Sequence, residues 1–246
     1  MKPPRNLLLL FTLALPLVSC SCEGIHSSPK RPLNPPPEEL SAKPGINDDF
    51  LGADVDVKEW FQKFETEARE IAAEKEAIVA AMQLKKGQDV ADVGSGTGLF
   101  LELLSNAVGV GGKVYALDIA PSFVEALKKR VQMQKLEQVE VRLSKERSVE
   151  LPQLSIDAAF VCDTYHHFEY PQHVLFSLFR AIRPLGNLYI VDFERVPGTS
   201  RQWVLDHVRC DKRTVIKEIE QAGFVFAEEL KVPGLTENYM LRFRRP

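Results

Sequence analysis

Asp89-Val90-Ala91-Asp92-Val93-Gly94-Ser95-Gly96-Thr97-Gly98 decides how the rest of the chain is read. A short apolar run runs straight into three glycines at alternate positions. This is the pattern of a β-strand passing through a tight loop into a helix, expected here over Gly98–Val108. Glycine serves where the backbone turns sharply or where a ligand must lie against it without a Cβ. The loop lacks the Gly-Lys-Ser/Thr ending of a phosphate-gripping loop, and its spacing is not G-x-G-x-x-G. It therefore points to a nucleotide-like ligand of another kind.

Working outward, short apolar runs alternate with amphipathic stretches. Strands are expected at Asp89–Val93, Lys113–Asp118, Val139–Leu143, Ala158–Cys162 and Asn187–Phe193, with helices at Ser122–Lys135 and Gln172–Arg183 between them. Such alternation specifies a parallel sheet covered on both faces, a doubly wound α/β fold. The end differs: a helix over Lys212–Gln221, then strands Phe224–Glu229 and Asn238–Phe243 joined by Pro233-Gly234, an antiparallel pair at the sheet edge. Upstream, Trp60, Phe61, Phe64, Ala68, Ile71, Ile78 and Met82 recur at three- and four-residue steps, so one amphipathic helix is expected over Val57–Leu84.

The 246 residues, 45% of them hydrophobic, suffice for one well-buried domain, and a net charge of −3 argues against a nucleic-acid-coating role. Lys2 and Arg5 precede the apolar run Leu7–Val18, which is too short to span a bilayer and reads as an export signal over residues 1–19. Leu17-Val18-Ser19-Cys20 resembles the lipobox of bacterial lipoproteins, which makes Cys20 the expected lipid anchor and the expected location periplasmic or membrane-anchored. The expected domain plan continues with a Pro-rich tether over 20–45, a helical segment over 46–86 and the ligand-binding domain over 87–246. A Cys162–Cys210 disulfide is not favoured, and oligomeric state is not legible.

The second chemical feature is Asp118, which closes strand Val114-Tyr115-Ala116-Leu117-Asp118. In a doubly wound sheet a carboxylate there lies beside the glycine loop and accepts from ribose hydroxyls. With Asp163-Thr164-Tyr165-His166-His167 and Ile182-Arg183-Pro184-Leu185-Gly186 added, residues Leu84–Phe243 resemble the class I S-adenosylmethionine-dependent methyltransferase family, nearest its small-molecule, quinone-biosynthesis-like branch. The resemblance implies a seven-stranded, mostly parallel, Rossmann-like sheet with its last strand antiparallel, and S-adenosyl-L-methionine as cofactor. It implies that Asp92, Gly94, Ser95, Gly96, Thr97 and Gly98 hold the methionine part. Asp118 would take the ribose, and Ile119 would pack on adenine. Where many members carry Asp after the third strand, this chain has Leu143-Ser144-Lys145-Glu146-Arg147, leaving Glu146 as the available carboxylate; Asp163 completes the cofactor set.

The family's chemistry implies methyl transfer to a small-molecule acceptor. A sulfonium methyl is already activated, so placement of the acceptor dominates, and a base is needed only where an OH or NH must lose its proton. His166 and then Tyr165, at the carboxyl edge of the sheet, are the expected catalytic groups. Asp163 and Asp192 end strands near His167, but acids at strand ends are common without a metal and none is expected. His207 and Arg209 either line the acceptor pocket or form a salt-bridged loop, the second being preferred. The rival reading is an exported non-catalytic binding module that retained the fold, since export removes the domain from the cytosol where the cofactor is made. An NAD-dependent oxidoreductase is disfavoured by the glycine spacing and the terminal hairpin.

Overall fold

The computed structural model describes Met1 and residues 36–52, 55–60 and 69–246. The expected signal, Cys20 and Cys22, and the apolar positions Phe61, Phe64 and Ala68 lie outside the described residues. Seven strands, β1 Asp89–Val93, β2 Lys113–Asp118, β3 Val139–Leu143, β4 Ile156–Cys162, β5 Ile182–Phe193, β6 Val225–Leu230 and β7 Asn238–Arg244, form one sheet in the order β3-β2-β1-β4-β5-β7-β6. β1 to β5 pair in parallel, and β7 runs antiparallel to both β5 and β6. The closing hairpin thus sits at the edge as expected, with β7 inserted between β5 and β6.

Side-chain alternation along each strand feeds two cores, because successive Cβ atoms point to opposite faces. Ala91, Val93, Leu188 and Ile190 face one side, where Leu175, Leu178 and Phe179 of α6 (Pro171–Ala181) and Val215 and Ile219 of α8 (Lys212–Gln221) cover them. Val90, Tyr189 and Val191 face the other, covered by Ile71 of α2 (Arg69–Ala73) and Ile78 of α3 (Lys75–Ala81), with Leu101 and Leu104 of α4 (Leu101–Val108). α5 (Pro121–Gln134) joins the second core through Leu127. Two short helices complete the chain, α1 (Asp48–Leu51) and α7 (Gln202–His207).

Two expected helices differ in extent. The helix after β1 begins at Leu101, not Gly98, because Gly94, Gly96 and Gly98 all adopt positive φ, at 73°, 48° and 78°, a region closed to an α-helix. The single helix expected over Val57–Leu84 is instead helical at 57–60, in α2 and in α3, with a break at Glu74, whose φ/ψ of −103°/14° are not helical. There Glu70 accepts from the backbone N–H of Thr236 and Glu237, both at 2.8 Å, so this segment is bent to meet the turn between β6 and β7.

Within the stretch expected to be a tether, the chain is docked at Glu39 and Lys43. The Glu39 carboxylate accepts from the backbone N–H of Gln172 and His173, each at 3.1 Å, and from the His173 ring. These are orphan donors in the first turn of α6, so Glu39 is a cap supplied from more than a hundred residues away. Lys43 donates to the carbonyls of Asp206 and His207 at 2.7 and 2.6 Å, closing the end of α7 in the complementary sense. Cys162 and Cys210 are both free thiols.

Candidate active site

Strand order reverses at β1, with β2 on one side and β4 on the other. Open α/β sheets bind ligands outside the carboxyl ends of the strands at this switch point. A cavity of about 440 Å³ lies there. Its lining includes Asp92, Gly94, Ser95, Gly96, Thr97, Asp118, Ile119, Glu146, Asp163 and His166, ten of the residues singled out from sequence. Gly98 and Tyr165 are not in that lining.

The glycine loop lines the cavity and leaves no room for a side chain at Gly94. At Gly94 a Cβ would lie 2.3 Å from the Thr164 methyl, and the positive φ would strain it as well. Gly98 acts behind the loop, where a Cβ would meet Leu127 at 2.9 Å, so its role is close packing on α5. Arg130 of α5 holds the loop by donating to the Thr97 carbonyl at 2.8 Å.

Two carboxylates anchor the loop. Asp118, 7% exposed, accepts from Gly96 N–H through Oδ2 and from Ala120 N–H through Oδ1, both at 2.9 Å. Burial pushes its pKa up, and the N–H groups of Ala120, Gly96 and Ile119 partly hold it back. A carboxylate has about four lone-pair positions, so Asp118 keeps acceptor capacity for a diol. Asp92 is 3% exposed, and burial raises its pKa to about 7, partly offset by Ser95 and reinforced by Asp118. A buried carboxyl on the edge of ionisation suits a ligand that brings its own positive charge. These features, a backbone cradle, a diol acceptor and a cation-seeking carboxyl, fit S-adenosylmethionine. Glu146 is exposed at the tip of the tight turn Lys145–Ser148, on the cavity's rim.

Tyr165, His166 and His167 form a 3₁₀ turn, in which successive side chains point about 120° apart. That geometry separates the two expected catalytic groups. The Tyr165 hydroxyl donates to Glu218 at 2.8 Å inside the core, under the Arg209 guanidinium, so the structure places Tyr165 in the core and not on the cavity, where its expected role would need it. His166 lines the cavity, with Nδ1 2.8 Å from Asp192 Oδ1 and its backbone N–H donating to Asp192 Oδ2 at 3.1 Å. Burial works to lower its pKa, but the Asp192 carboxylate outweighs it and the net shift is upward. His167 shifts well below the usual range, chiefly by burial and then by His166 and His207.

The expectations for His207 and Arg209 divide. His207 lines the cavity, with Nε2 3.3 Å from His167 Nε2 and its ring stacked on Trp203 at 5.0 Å. Arg209 instead forms a two-pronged pair with Glu218, at 2.9 and 2.7 Å. Sequence reasoning missed the aromatic wall of Phe50, Trp60, Phe123 and Trp203, and Asn47, which donates to the His167 carbonyl at 3.1 Å. The one legible signal was the i,i+4 spacing of Trp203 and His207, which places both on one side of α7.

Residues 91–190 match the family model described as a methyltransferase domain. A crystal structure of a S-adenosylmethionine-dependent methyltransferase from Aquifex aeolicus superposes with a TM-score of 0.61 at 25% identity, covering 83% of this chain and 95% of that one. An uncharacterized 37.1 kDa protein from a Streptomyces fradiae transposon is 31% identical over 46% of this chain. A Methanocaldococcus jannaschii tRNA (adenine-N1)-methyltransferase is 39% identical over 22% of it. The chain spans only 32% and 19% of the lengths of these two relatives. Residues 91–190 therefore resemble a methyltransferase domain, and the cofactor these likenesses support is S-adenosylmethionine.

Proposed function

We propose that the protein transfers a methyl group from S-adenosylmethionine to a small aromatic or apolar acceptor, of the kind handled by the quinone-biosynthesis-like branch of the family. The observation that carries this reading is one cavity lined both by the glycine loop with Asp92 and Asp118 and by Phe50, Trp60, Phe123 and Trp203. The cofactor supplies an activated sulfonium methyl that needs only an in-line nucleophile. The chain's own part is placement and the exclusion of water, which can be worth about 7–11 kcal/mol in favourable systems. His166, with Nδ1 bound to Asp192, presents Nε2 for an acceptor proton. The N-terminal segment contributes Ile46, Asn47 and Phe50 to the same lining. We further propose that residues 1–19 direct export and that Cys20 carries the anchor.

Calorimetric titration with S-adenosylmethionine, S-adenosylhomocysteine and NAD tests the reading. Micromolar binding of the first two, lost in Asp118→Ala with the fold intact by circular dichroism, is the expected result. A folded chain that binds none of them at millimolar concentration overturns it and favours an exported binding module.

A further inference from the structure

Three imidazoles meet in this cavity that the methyl-transfer reading does not require together. His166, His167 and His207 each place a ring nitrogen within 4.8 Å of the others. The His167 and His207 Nε2 atoms are 3.3 Å apart. A tetrahedral zinc ion with Zn–N bonds of 2.0–2.1 Å holds its ligand nitrogens about 3.3–3.4 Å apart. One edge of the triangle therefore already has the length of a metal site, and the remaining nitrogens lie within 4.8 Å.

The supports also match. Metal-ligating histidines characteristically give their other ring nitrogen to a carboxylate, which fixes tautomer and orientation. Asp192 does this for His166 Nδ1, and both its oxygens are further occupied by the N–H groups of His166 and Phe193. Asp192 thus serves the triangle from behind, which sets aside the alternative grouping of Asp163, His166 and Asp192 as direct ligands. Trp203 stacks on the His207 ring, and Phe50 meets the His167 ring edge-on at 5.2 Å.

We propose that His166, His167 and His207 bind one divalent late transition metal of the zinc class, with a fourth position open to the cavity. Three neutral nitrogens suit zinc, copper or nickel and not magnesium, which takes oxygen ligands. The proposal replaces the sequence expectation of no metal. Resting on the methyl-transfer reading, it also narrows the acceptor to a phenol or thiol that can occupy the open position. Ligation lowers the pKa of that group, so its proton leaves to bulk water and not to His166, whose Nε2 is then a metal ligand in place of a base.

The test uses the full chain stripped with a chelator, dialysed and titrated with Zn²⁺, and with Co²⁺ followed by visible absorption. The expected result is one metal per chain with tetrahedral cobalt bands, no competition from millimolar Mg²⁺, and loss of the bands in His207→Ala. Asp192→Asn is expected to weaken Zn²⁺ binding by about 10–100-fold, the usual effect of losing such a partner. His207 is partly exposed on a short helix, so its variant carries the test if buried His166→Ala fails to fold. A folded chain that binds no Zn²⁺ at micromolar concentration, or binds it equally in His207→Ala and His167→Ala, overturns the site. S-adenosylmethionine titration of the same samples separates the two readings, since metal binding without cofactor binding leaves the site standing and removes only the acceptor class.

Discussion

Asp92 carries a conflict between stability and binding in a single carboxyl. Its pKa rises from 3.8 unfolded to about 7 folded, so between those values the folded chain holds a proton that the unfolded chain has lost. Stability of the cofactor-free protein therefore falls as pH rises from about 4 to about 7, by a contribution on the order of 4 kcal/mol. Asp92→Asn removes the ionisation. It is expected to unfold at higher urea than wild type at pH 8, with little difference at pH 4, and to lose S-adenosylmethionine affinity. Urea melts of both proteins across that range isolate the contribution of Asp92, because His166 titrates in both. A variant less stable than wild type at pH 8 would show that the raised pKa is not the controlling feature.

At the scale of elements, two junctions make measurable claims. Glu39 satisfies two orphan N–H groups at the start of α6, so Glu39→Ala is expected to cost about 1–2 kcal/mol, the usual loss for a cap. It should also release the segment from Glu39 to Lys43, read as faster proteolysis there than in wild type. In β5, Leu185 occupies φ 66° and is exposed, so its side chain contributes little packing and its backbone is strained. A non-glycine residue in this region costs about 1–2 kcal/mol, against about 0.5–1 kcal/mol for the extra freedom glycine has when unfolded. Leu185→Gly is expected to raise stability slightly, by up to about 1 kcal/mol in chemical denaturation.

For the whole molecule, the proposed lipid anchor and the folded domain make separable demands. Expressed in a bacterium, the full chain is expected in the membrane fraction and Cys20→Ser in the soluble fraction, with S-adenosylmethionine binding unchanged. Recovery of both in the cytosol would remove the export reading and leave the domain's chemistry untouched. Five parallel strands, the closing hairpin and the glycine loop were legible because they follow local rules: period-two burial, glycine at positive φ, and an acid ending a strand. The start of the helix after β1 was less so, since Gly98 was expected to open it but adopts φ 78°, and the helix begins at Leu101. By itself the sequence determined the doubly wound sheet and most of the loop and strand-end residues that line the cavity, which lie within one loop and the ends of adjacent strands. Only the tertiary structure decided that Tyr165 turns into the core, that Glu39 and Lys43 clasp distant helices, and that His207 meets His166 and His167. Those outcomes depend on contacts across 40 to 164 residues of chain, and no local pattern encodes the direction of a side chain around a 3₁₀ turn.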